Sequence, residues 1–135
     1  MTTTRRFITS GEGLPQWLSP ISHAVVVDRT CYLSGQLALD AQGQLVPGDA
    51  GDQARLAFRN LFCALKAAGF TPQDLVFVDI AFTDLADMPA VNAVYAELFE
   101  PDRRPARTVY QAAALPFGGR VKVMGTAVKA ESCEG

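Results

Sequence analysis

The chain has 135 residues, is 49% hydrophobic and 19% charged, and carries a net charge of −2, which excludes a disordered polypeptide and fits a single domain over 1–135. A pI near 5.3 and basic residues scattered everywhere except Arg103, Arg104 and Arg107 exclude an extended basic face, so no nucleic-acid partner is expected. No apolar run approaches a membrane span and the N-terminus lacks the apolar stretch of a signal peptide, so the expected protein is cytoplasmic, with no membrane partner.

Residues 1–20 form a polar, Pro- and Gly-punctuated N-terminal segment with one short strand at Arg5–Thr9. Ser22–Asp28 holds the β-branched run Val25-Val26-Val27, and Cys31–Ser34 reads as its hairpin partner across Asp28-Arg29-Thr30. Gly35 and the Asp40–Gly43 turn are expected to break the extended chain, and Leu45-Val46 closes that region. Asp52 is a candidate N-cap for a first helix with Ala54, Phe58, Leu61, Phe62, Leu65 and Ala68 on its apolar face, ended by Gly69 and Thr71-Pro72. Leu75–Thr83 is the strongest strand. A second helix follows Asp87, with Pro89 in its first turn and Val91, Val94, Tyr95 and Leu98 on one side. Strands at Arg107–Ala113 and Val121–Val128 finish the domain before the tail 131–135. This order predicts an α+β fold: a mixed sheet of about six strands with two helices on one face. The other face is left bare, and sibling subunits are the simplest cover.

Cys31, Cys63 and Cys133 have no metal-ligand or redox spacing, and free thiols suit a reducing compartment. The chain has one histidine and none of the metalloprotease, nucleophile-elbow or phosphate-loop motifs. No cofactor and no metal are expected. The best handle for a small molecule is Arg107, at a strand start after Arg103-Arg104-Pro105-Ala106, because a guanidinium forks two hydrogen bonds onto a carboxylate. The bland alternative pairs it with Glu97, Glu100 or Asp102. Of Tyr110 and Gln111, alternation puts only Gln111 on the side of Arg107, which makes it the expected cleft-lining, substrate-binding neighbour. Asp79, inside an apolar strand, is expected to have a structural hydrogen-bond partner. His23 is expected at the surface or in an interface, and Cys31 in the core.

The segments Ser34-Gly35-Gln36, Ala67-Ala68-Gly69, Val91-Asn92-Ala93-Val94-Tyr95, Pro105-Ala106-Arg107-Thr108 and Leu115-Pro116, in that order and spacing, resemble the RidA (YjgF) family. The resemblance spans about Ser19 to Lys129. It implies a chorismate-mutase-like fold, a homotrimer with sites between subunits, and an enamine/imine deaminase that hydrolyses 2-imino and 2-enamino acids to 2-keto acids and ammonia. It implies that Arg107 clamps a small-molecule carboxylate and that Ser34, Gly35 and Asn92 help to seat it.

Two positions depart from the pattern. Lys122 stands where typical deaminase members carry a glutamate, and Ile21 where they carry a tyrosine, so the catalytic group is unknown. Lys122 shares a strand face with Met124 and Thr126. A second cation in the cleft suggests a preference for dicarboxylates. The competing reading is a non-catalytic trimer that binds small carboxylates; RNA cleavage, a label on some relatives, is the weakest reading.

Overall fold

The computed structural model describes residues 2–130; the expected tail 131–135, with Cys133, lies outside the described residues. Six strands form one sheet: β1 Arg5–Ile8, β2 Ala24–Val27, β3 Thr30–Gln36, β4 Leu75–Phe82, β5 Ala106–Gln111 and β6 Val121–Val128. Two helices, α1 Ala50–Ala68 and α2 Met88–Leu98, interrupt them. The sheet order is β1-β2-β3-β6-β4-β5. All neighbours are antiparallel except β4 and β5, which the crossover through α2 makes parallel.

One face of the sheet carries the helices. On β6, Val121, Val123 and Ala127 are buried there beside Val78, Ile80 and Phe82 of β4. Against them α1 lays Ala54, Ala57, Phe58, Leu61, Ala64 and Leu65, all fully buried, the i, i+3, i+4 stripe that drives a helix onto a sheet. The opposite face holds Tyr32, Asp79, Ala81, Thr108, Tyr110, Lys122, Met124 and Thr126, by strict alternation and register. A small second cluster of Leu37, Leu39, Ala81 and Leu115 covers one part of it. Elsewhere it stays open, with Tyr32 55%, Tyr110 44% and Met124 37% exposed.

Three local expectations are corrected. The N-cap of α1 is Asp49, not Asp52: its carboxylate accepts the Asp52 amide at 2.8 Å, and two aspartates three residues apart offer the same chemistry to the same turn. Gly35 does not end the extended chain; it lies inside β3, where the pairing with β6 shifts register between Leu33 and Gln36, as a bulge allows. His23 is not a surface residue. It is 2% exposed, because both ring nitrogens find partners inside the protein.

Candidate functional site

Arg107 sits on β5 at the sheet edge, opposite Val78 of β4 and therefore on the helix face. Its Nη1 donates to Oδ1 of Asn92 at 2.8 Å. Its guanidinium carbon lies 4.8 Å from the centre of the Tyr95 ring, a cation–π distance. Asn92 and Tyr95 are three residues apart on α2, so one helix face presents both. The bland pairing does not occur: Glu97 is taken by Arg55 at 2.7 Å, and Arg107 makes no ion pair among the described residues. Gln111 does share the face of Arg107, yet its Oε1 accepts the amide of Leu85, so it fastens the turn before α2. Arg103 and Arg104 are exposed, and Nε of Arg104 donates to the Phe99 carbonyl.

Lys122 lies on the other face. It stands opposite Ala81 of β4 and, with Gly35 and Ile21, lines a pocket of about 650 Å³. Gly35 makes room for the lysine stem: a Cβ there would lie 2.9 Å from Cδ of Lys122. Trp17, Leu37 and Phe117 supply apolar walls. Ser34 is next to Gly35, but its hydroxyl donates to the Ser22 carbonyl at 2.6 Å, which suits a strand tie and not a nucleophile. Thus the structure brings Arg107 to Asn92 and Gly35 to Lys122, and a sheet separates the two pairs within one chain.

Asp79 meets its expectation of a structural partner, accepting from Oγ1 of Thr108 at 2.5 Å. Sequence reasoning missed Trp17, Phe117 and Tyr95 as neighbours of these groups. Trp17 offered one signal, being the only tryptophan of the chain in an otherwise polar segment. Tyr95 is 6% exposed and its hydroxyl finds no partner among the described residues; burial raises its pKa, with Arg107 and Arg104 opposing. Among the described residues no three His, Cys, Asp or Glu side chains converge as metal ligands. No helix among them is long and apolar enough to cross a membrane.

The family model described as Endoribonuclease L-PSP matches residues 14–129. A goat protein named 2-iminobutanoate/2-iminopropanoate deaminase is 45% identical over 93% of this chain and 90% of its own. The chain belongs to the RidA family. The structure of RidA from an Antarctic Psychrobacter superposes with a TM-score of 0.84 at 34% identity, covering 92% of this chain and all (100%) of that one. Escherichia coli TdcF, solved with bound serine, has a TM-score of 0.84 at 28% identity over 93% of this chain and 100% of that one. A six-stranded mixed sheet with two helices is the architecture this RidA-family chain shares with them, as the order of its elements predicts.

Proposed function

We propose that this RidA-family chain is a deaminase that hydrolyses 2-imino and 2-enamino acids to 2-keto acids and ammonia. The observation that carries the reading is the seating of Arg107 between Asn92 and Tyr95. One N–H of its fork is committed among the described residues, and the others suit a carboxylate. An enamine first takes a proton at carbon and gives one up from nitrogen to become the imine. Water then adds to the imine carbon and nitrogen takes a proton; the carbinolamine expels ammonia and leaves the keto group. Orientation beside a water contributes up to about 7–11 kcal/mol in the best intramolecular cases, so a clamp does much of what this easy hydrolysis needs. Gly35 and Asn92 help to seat the substrate.

The sites are completed between copies in a homotrimer. Two features support this: the sheet separates Arg107 from the Lys122 pocket, and the open face exposes Tyr32, Tyr110 and Met124. With Arg107 and Lys122 of different copies on one ligand, the preferred substrate is a dicarboxylate. Cys31 and Cys63 are free thiols, which suits the cytoplasm. RNA cleavage is disfavoured because the one histidine is sealed from solvent, at 2% exposure.

The test generates imines from several amino acids, aspartate and glutamate included, with an amino-acid oxidase while semicarbazide competes for them. Wild type should suppress the semicarbazone and Arg107→Ala should not. No suppression with any amino acid, while carboxylates still raise the melting temperature, transfers the protein to the non-catalytic binding reading. Lys122→Glu should raise KM for dicarboxylates more than for monocarboxylates. Mixed oligomers of Arg107→Ala and Lys122→Glu should show a lower KM for dicarboxylates than Lys122→Glu alone and turnover that Arg107→Ala alone lacks; no such recovery ends the shared-site arrangement.

A further inference from the structure

Behind the pocket, His23 joins two of its walls. Its Nε2 lies 3.1 Å from the Pro15 carbonyl oxygen, its Nδ1 lies 3.0 Å from Nε2 of Gln36, and its ring sits 3.8 Å from the Trp17 indole, centre to centre, at 31°. Trp17 lines the pocket, and so does Gly35, the residue before Gln36. The proposed reaction makes no use of His23, yet the residue is built in on three sides.

Elimination places its proton. A carbonyl oxygen only accepts, so Nε2 carries the hydrogen and Nδ1 offers a lone pair. The Gln36 amide must then donate through its nitrogen, and Oε1 of Gln36 is buried without a partner among the described residues. A second arrangement fits the same space. With a proton on Nδ1, the amide turns over, Oε1 accepts from the ring, and the NH2 becomes the unpartnered group. The pair therefore has two states, one for each charge of the imidazole.

The ring's own partners are neutral, the Pro15 carbonyl and the Gln36 amide. On either side of His23, residues 13–22 and β2 carry no ionisable side chain, and Glu12, just before them, is exposed. β3 contributes Cys31 and Tyr32, β1 Arg5 and Arg6, and β6 Lys122; the loop that packs on Gln16 contributes Asp40, and α1 sets Arg59 and Cys63 beside Gly13. The Asp40 carboxylate is engaged by the amides of Gln42 and Gln44, and no carboxylate bonds the ring among the described residues. The face of an indole attracts a cation more strongly than a neutral ring, so a charged His23 changes how Trp17 is held.

We propose that His23 is a positioning residue of this site: neutral, it ties the Trp17 wall to the Gly35-Gln36 wall, and on gaining a proton it turns Gln36 over and re-seats Trp17. The consequence for substrate fit rests on this pocket serving the proposed deaminase reaction; the coupling of His23 to Trp17 does not.

Trp17 is the sole tryptophan, so indole emission of the full chain reads its state directly, without any ligand. Wild type should show one inflexion below pH 6.5, with quenching on the acid side. His23→Phe should abolish it. Gln36→Glu, which sets a carboxylate beside Nδ1, should move it to higher pH, and this variant keeps the test open if His23→Phe does not fold. An inflexion unchanged in the folded variants overturns the coupling.

For function, KM for 2-iminobutanoate in wild type should rise on the acid side with the same midpoint while kcat holds. In His23→Phe, KM should be raised about two- to tenfold at neutral pH, the size of one lost hydrogen bond, and be level across that range. Emission that follows His23 with an unmoved KM overturns the positioning role. If no imine is turned over, the deaminase reading fails separately, and the dissociation constant of 2-oxobutanoate, read from the same emission, must carry the acid-side shift or the positioning role falls.

Discussion

The guanidinium carbon of Arg107 lies 4.8 Å from the centre of the Tyr95 ring, while one of its nitrogens is held by Asn92 at 2.8 Å. A strand-edge arginine is thereby fixed from below and from the side by a single helix. Tyr95 is in turn wedged by Phe58 and Phe99, with ring centres 5.8 and 4.7 Å away, so the support under the clamp is part of the core.

Arg107→Lys keeps the charge and loses the planar fork and its stacking. KM for a 2-imino acid should rise about tenfold or more, the scale of a charge-assisted hydrogen bond. Tyr95→Leu keeps an apolar filler and removes the ring, and should raise KM about two- to fivefold while also lowering the melting temperature. Steady-state kinetics of the two variants check this. Wild-type KM in Arg107→Lys would detach the guanidinium fork from substrate binding.

Gly125 marks where β6 and β4 approach too closely for a side chain. It faces Val78 across the ladder, beside the register shift between Leu75 and Phe77. A Cβ there would lie 2.7 Å from the Phe77 carbonyl oxygen and 3.0 Å from Cδ2 of Leu75. The first is backbone and cannot swing away. Gly125→Ala should cost about 1–3 kcal/mol, seen as a lower urea midpoint with an unchanged slope. A variant as stable as wild type would mean that the strands part without loss.

Much of this was legible in the sequence because period and punctuation are local. Val121–Val128 declared its two faces by alternation, and the Phe58-Leu61-Leu65 stripe declared the buried side of α1. What alternation cannot give is the relation between strands. That Lys122 and Arg107 take opposite faces follows only from the register of Arg107 on Val78 and of Val78 on Gly125. The stacking of Trp17 on His23 is likewise a tertiary contact that no spacing announces. Asp49 and Asp52 were not separable by residue type, since either carboxylate can cap the turn and only the entry path of the chain chooses. Gly35 read as a break because a glycine in an extended run marks a bulge, a bend or a close approach, and residue type alone does not separate these from a strand end.

Cys31 should be chemically silent. It is fully buried, and burial pushes its thiol up to about 11, with Arg6 opposing. The thiolate is the reactive form, so maleimide at about pH 8 should leave the Cys31 peptide unmodified in native protein and modify it after unfolding. Cys63, half-buried in the shallow groove between Arg59 and Lys66, should label without unfolding. Peptide mapping distinguishes the two. Native labelling of Cys31 would show that the sheet and α1 part readily around it.

Acid should weaken the fold through His23 before it does so through carboxylates. Desolvation lowers the His23 pKa from 6.5, opposed by its bond to the Pro15 carbonyl. The unfolded chain therefore binds a proton that the native chain refuses. Stability is complete above the unfolded value, falls as pH drops below 6.5, and levels only once the lower folded value is passed. The slope is at most about 1.4 kcal/mol per pH unit for one proton. Glu97, held below 4.5 by Arg55, contributes in the other window, where stability is lost as pH falls through its own depressed value. Urea midpoints between about pH 7.5 and 5 thus isolate the histidine. Wild type should lose stability across that interval and His23→Phe should lose distinctly less. Gln36→Glu should be flatter than wild type as well, because its carboxylate holds the imidazolium in the folded state. Parallel slopes in all three proteins would place the acid sensitivity somewhere other than the ring beneath Trp17.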